Sequence, residues 1–280
     1  MGKEYFETVE KINFYNGLDE EGLMFSVSHC LFPDVKKELM VLLDEIKNNP
    51  EYLIRYQNKD EYKDTLLCQL GYELFYKLLG IDINGRLKDD FNILVQGGND
   101  YFQGANTRNK GHHEIVLNNL SSIYSLPTLN HELMHYITYN PKIVGNYAYI
   151  DVLPMFMELL TADYLKNAPA NEDMLDNLIK FRLNFFKELI EQYRTAKINY
   201  NQGTVHSKIN YQYYKDTMFQ YVSDFIYAYN MYLRYLEDNN YVSTKVLNTI
   251  NNEKRVEQLL ATLDLKLDQE QVDNVLKLVK

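Results

Sequence analysis

The chain is poor in cysteine and in positive charge, and it has no long apolar run. Its two cysteines, Cys30 and Cys68, match no metal or redox spacing. They read as buried thiols in a reducing cytoplasm, not as a disulfide framework. Lys and Arg total 29 against 39 Asp and Glu, a formal net charge of −10. That balance excludes the clustered basic surface of a nucleic-acid binder. No uninterrupted apolar stretch approaches the ~18 residues of a membrane helix. The opening MGKEYFETVEK has early acids and no apolar h-region, so no signal peptide is expected. It also lacks the Ser or Thr that a myristoylation site needs. The expectation is a soluble cytoplasmic protein, with neither nucleic acid nor membrane as partner.

Hydrophobic residues make up 46% and charged residues 24% of 280, ordinary for a globular domain with a sizeable core. Repeats, low-complexity tracts and Pro-rich linkers are absent, so residues 1–280 read as a single domain. FPDVKKELMVLLDEIKNN spaces Val35, Leu39, Leu42, Leu43 and Ile46 as a helix face, opened by Pro33 and Asp34. KDTLLCQLGYELFYKLLG does the same and stops at Gly80. DFNILVQGGND reads as a strand and turn. GANTRNKG follows as a polar loop, and HHEIVLNNL as a second short strand segment. From Ser125 and Pro127 onward the pattern is helical. NPKIVGN closes one helix, and NYNQGTVHSKIN, residues 199–210, reads as a loop between two others.

The segment TLNHELMHYI carries the pattern His-Glu-x-x-His at His131, Glu132 and His135. Residues four apart share a helix face, so the two imidazoles can point at one ion. Zinc lowers the pKa of its bound water to near ~7, and Glu132 lies beside the ion to take the proton. The alternative is two ordinary surface histidines.

A third ligand is wanted, and PMFMELLTADYL supplies Glu158, the only glutamate between His135 and Glu172. Met155, Leu159 and Leu160 around it imply burial, which is costly for a carboxylate without a partner. Its alternative role is an ion pair with a lysine. Asp151 and Asp163 are rival ligands nearer the ends of that helix. His131, His135 and Glu158 are the expected set for one Zn2+ per chain. His112 and His113 are adjacent on a strand, face opposite ways and cannot share an ion.

These residues resemble the oligoendopeptidase F and thimet oligopeptidase family of zinc metallopeptidases, whose His-Glu-x-Gly-His precedes a glutamate-bearing helix. GANTRNKGHHEIVLNNLSSIYSLPTLNHELMH is similar to the family's Gly-Ala-Tyr loop, edge strand and zinc helix. YYKDTMFQYVSDFIYAY resembles its Tyr-rich helix, and LNTINNEKRVEQLLATLDLKLDQEQVDNVLKLV its closing segment. Residues 90 to 280 are covered in order. Met134 stands where the family has glycine, and Ile137 and Thr138 replace a further histidine.

The resemblance implies a mainly α-helical, gluzincin-type zincin with a small sheet beside the zinc helix. It divides the domain into a reduced N-terminal helical region, 1–90, and a zinc catalytic region, 91–280. It also implies an oligopeptidase, with a peptide as substrate. Tyr214 and Tyr221 are seven residues apart, so two helical turns bring both hydroxyls to one side. By resemblance they are the oxyanion donors. Tyr211 stands near the family's histidine, which His206 in the preceding loop replaces. EIVLNN is expected to offer a free strand edge to an extended peptide. The rival reading is a peptide- or partner-binding module without turnover. Glu132 argues against it, because a binder needs no base.

Overall fold

The computed structural model describes residues 36–54, 62–87, 91–98, 101–109, 112–138, 143, 149–168, 171–200 and 205–280. Cys30, Pro33, Asp34, Val35 and most of NPKIVGN lie outside these residues. Helix α1, Lys36–Asn48, buries Leu39, Leu42, Leu43 and Ile46, the face that the spacing requires. Helix α2, Asp64–Leu79, ends as expected at Gly80. With φ at 70°, Gly80 donates its N–H to the carbonyl of Tyr76 while the next N–H, of Ile81, reaches the carbonyl of Phe75, a conformation free of Cβ strain only for glycine. Cys68 is a half-buried free thiol.

Three strands follow. They are β1, Asn92–Val95; β2, Gly104–Asn109; and β3, His112–Leu117. β3 is central, parallel to β1 and antiparallel to β2. Two expectations change here. GANTRNKG is a strand over its first six residues, because backbone pairing with β3 needs no apolar alternation at the end of a sheet. The expected edge strand EIVLNN is the middle strand instead, so β2 has the outer edge on the side of the motif helix.

Helix α3, Leu126–Thr138, carries His131, Glu132 and His135. Every residue from Leu126 to Met134 is buried, Met134 completely. Helix α4, Val152–Leu165, is buried over almost its whole circumference, as a helix covered on all sides must be. It packs between α3 and α6, Val205–Glu237, while α5, Met174–Tyr200, lies along α6. Of the loop expected over 199–210, residues 199–200 end α5 and residues 205–210 begin α6, with His206 in its first turn, while residues 201–204 lie outside the described residues. The side chain of His206 lies outside the described residues. Helices α7, Asn239–Asn251, α8, Val256–Thr262, and α9, Gln269–Val279, close the chain, with α9 against α1 and α6. The protein is thus mainly helical with one three-stranded sheet. Among the described residues, no helix is long and apolar enough to cross a membrane.

Two close contacts set the position of α3. Asn130 Nδ2 donates to Thr161 Oγ1 of α4 at 2.9 Å, with both side chains buried. On the other side, Gly71 of α2 comes so near that a Cβ would lie 2.9 Å from Asn130 Oδ1 and 3.0 Å from Leu129 Cδ2. In an exposed helix, Gly→Ala stabilises by up to ~1 kcal/mol. Here the sign should reverse. Gly71→Ala is expected to destabilise the fold by roughly 1–3 kcal/mol through overpacking, read by urea denaturation. A stabilised variant would show that α2 and α3 have room to part.

Candidate metal centre

The His-Glu-x-x-His spacing does what a helix demands of it. The rings of His131 and His135 lie 4.8 Å apart, centroid to centroid, at 74° to one another. Both Nε2 atoms turn towards the same oxygen, Oδ1 of Asp151, at 3.6 Å from His131 and 3.1 Å from His135. Asp151 occupies the turn just before α4. These three residues are the group whose ligand atoms come together. For bonds of ~2.0 Å at tetrahedral angles, ligand atoms around zinc sit about 3.3 Å apart. The two observed separations bracket that value, and all three ligand atoms lie within 4.8 Å of one another, so the group could hold one ion.

Glu158 is elsewhere on the same ring. Its Oε2 is 3.5 Å from Nδ1 of His131, the nitrogen facing away from Asp151. It also accepts two hydrogen bonds from Arg182, one from Nε at 2.9 Å and one from Nη2. Asp151, not Glu158, is thus the carboxylate grouped with the two histidines in the cluster that could hold an ion. The expected ion-pair alternative for Glu158 is realised with an arginine of α5. Asp163, the other rival, accepts from Tyr232 and pairs with Lys166, away from the histidines.

Arg182 Nη2 also lies 3.2 Å from His131 Nδ1. The two contacts compete for one nitrogen. Nδ1 donates to Glu158 when it carries a proton and accepts from Arg182 when it does not. An ion on Nε2 leaves the proton on Nδ1, which selects Glu158.

Charge follows from this geometry. Burial works against a charged His131, but hydrogen bonds to Asp151 and Glu158, with the charges of Glu158 and Glu132, raise it from 6.5 to about 9. Asp151 is held well below the carboxylate range despite burial, because both histidines surround it. Glu158 is also depressed against the pull of burial, first by the charge of Arg182. Asp224 of α6 behaves in the opposite way. It is fully buried and adjacent to the charge of Asp151, and both effects push it far up. Its Oδ2 accepts the N–H of Asp151 at 3.0 Å.

Glu132 is buried and stands against the start of β2, where a Cβ at Gly104 would lie 3.0 Å from its Oε1. Tyr221 comes to the site. Its ring meets Phe185 edge-on at 5.2 Å, and it is near enough to Arg182 to influence that charge. Tyr214 lies two turns earlier on α6, its ring against Tyr213 at 5.1 Å. Tyr211 packs between Tyr193 and Tyr200. Sequence reasoning missed Arg182 and Asp224. Each is one charge inside an apolar helical run, FRLNFF and VSDFIYA, and that isolation is itself a signal of buried pairing.

Comparison of the chain with protein-family models, with curated proteins and with solved structures finds no match.

The raised His131 has a consequence for the metal-free protein. In the unfolded chain this imidazole titrates near its ordinary 6.5. Its contribution to stability is therefore complete below that pH and disappears as pH rises through about 9. Metal-free protein kept in chelator is expected to lose on the order of 3 kcal/mol between pH 6.5 and 9.5. Asp151→Asn should flatten the profile. Urea denaturation across that range checks both, and a flat profile for the unmodified chain would contradict the paired state.

Proposed function

We propose that the chain is a zinc-dependent peptidase in which His131, His135 and Asp151 hold the ion and Glu132 is the general base. The observation that carries this reading is the meeting of both motif histidines on one oxygen of Asp151. The two motif histidines and the base follow the resemblance to the oligopeptidase family, whereas an aspartate as third ligand departs from its glutamate. Zinc bound there would lower the pKa of its water and polarise the scissile carbonyl.

The remaining roles belong to the chain. Glu132 receives the proton from the attacking water and passes it to the leaving amine. Glu158 accepts from Nδ1 of His131 and fixes that ring, while Arg182 neutralises Glu158 from behind. Tyr221 donates to the developing oxyanion, with Tyr214 as a second donor from the same helix. His206 is not needed for this scheme. An extended peptide adding to the sheet would pair with the outer edge of β2, whose first residue stands beside Glu132.

Metal content separates the two candidate ligands. The purified protein is expected to hold about one zinc, and Asp151→Ala to lose it. Glu158→Gln should weaken affinity by only ~10–100-fold, as outer-shell changes do. The reverse order would return Glu158 to the ligand set. Turnover separates catalysis from binding. Glu132→Gln should keep zinc and lower peptide cleavage by at least ~100-fold.

Tyr221→Phe should cost ~100- to 1000-fold in kcat with little change in KM. Tyr229 stacks on Phe225 and is half-buried, so Tyr229→Phe serves as the filler control. Equal small effects from the two would remove Tyr221 from the mechanism. No cleavage of a mixed peptide library by the unmodified, zinc-loaded protein would favour the binding module.

A further inference from the structure

An aspartate directly before a helix ordinarily turns its carboxylate onto the first free N–H groups of that helix. Asp151 does not. It makes no side-chain bond to the start of α4. Its Oδ1 faces the two histidines instead, and its Oδ2 lies 3.4 Å from Gln220 Nε2. Its backbone N–H is held by Oδ2 of Asp224 at 3.0 Å, 73 residues further along the chain. Gln220 and Asp224 are four apart on α6 and so share one face. Asp224 is completely buried, and its other oxygen has no hydrogen-bond partner. A buried carboxyl in such a place is costly. Among the described residues, the only hydrogen bond this carboxyl makes is the one to Asp151.

We propose that Asp224 and Gln220 are positioning residues for the metal centre. Asp224 anchors the backbone of Asp151, and Gln220 holds its outer oxygen, so that Oδ1 is aimed at His131 and His135 and withheld from the end of α4. The inference rests on the reading of Asp151 as a ligand. It places the aim of that ligand on α6, the helix that also carries Tyr221. Zinc affinity therefore depends on a contact outside the ligand set.

The test uses the full chain, stripped of metal and titrated with Zn2+ against a chromophoric chelator, and with Co2+ for its visible spectrum. Asp224→Leu removes the acceptor while keeping the same branching of heavy atoms. It is expected to weaken Zn2+ binding by ~10–100-fold and to alter the Co2+ bands. Asp224→Asn keeps an acceptor oxygen and should restore both. Ser223→Ala, at the buried neighbour whose hydroxyl has no hydrogen-bond partner among the described residues, should change neither. If Asp224→Leu does not fold, Gln220→Leu, at a half-buried position, tests the same device, with an expected loss of ~10-fold.

A lower melting temperature with unchanged Zn2+ affinity and Co2+ spectrum would overturn the proposal, leaving Asp224 a structural residue only. Asp151→Ala distinguishes the two levels. If that variant loses metal while Asp224→Leu keeps it, positioning alone fails. If Asp151→Ala binds Zn2+ as tightly as the unmodified chain, the ligand reading fails and the positioning falls with it.

Discussion

His131 has two ring nitrogens, and a different carboxylate meets each. Asp151 stands at Nε2 and Glu158 at Nδ1, seven residues apart at one end and in the middle of the α4 segment. An imidazole between two acids has its orientation fixed to within a hydrogen bond. That fixed ring determines where an ion would sit, and the packing of the surrounding helices has to preserve it. The Asn130–Thr161 bond keeps α3 and α4 in register one residue away from the ring. The narrow approach at Gly71 stops α3 from retreating towards α2.

The same arrangement concentrates charge where water is scarce. Asp151, Glu158, Glu132, His131 and Arg182 are all buried. A group of this kind holds together only as a set. Removing one member of a buried ion pair typically costs ~3–5 kcal/mol, because its partner stays behind uncompensated. Arg182 is thus as much a part of the centre as the histidines are, although it touches no ion. One Glu158 oxygen lacks a hydrogen bond, and the Arg182 charge on the other keeps that acid ionised.

Much of this was legible in the sequence. The periodicity of α1 and α2, the stop at Gly80 and the motif helix follow from local pattern and appear as expected. The third member of the His cluster did not. Glu158 sits amid apolar residues on a regular helix and looks inward, as inferred, but it meets Nδ1 of His131 and not the nitrogen shared with the cluster. Asp151 lies in a turn, where its backbone N–H meets a carboxylate 73 residues away, and no local pattern encodes that. β2 was missed for a related reason, since a terminal strand needs only a partner backbone. Gly203 and the asparagines around it read as a loop that runs through His206, whereas α6 already begins at Val205.

The end of the chain acquires a meaning from α6. Asn230 of that helix donates to the carbonyl of Gln271 at 3.0 Å and accepts from Asn274 at 2.7 Å, so α9 grips α6 less than two turns beyond Asp224. The final helix supplies no ligand, base or donor to the proposed chemistry. It works as a brace, one step removed from the His cluster, and transmits its grip along a single stiff rod. A chain trimmed before Gln269 would keep every residue of the centre and lose the clamp that holds their shared support in place.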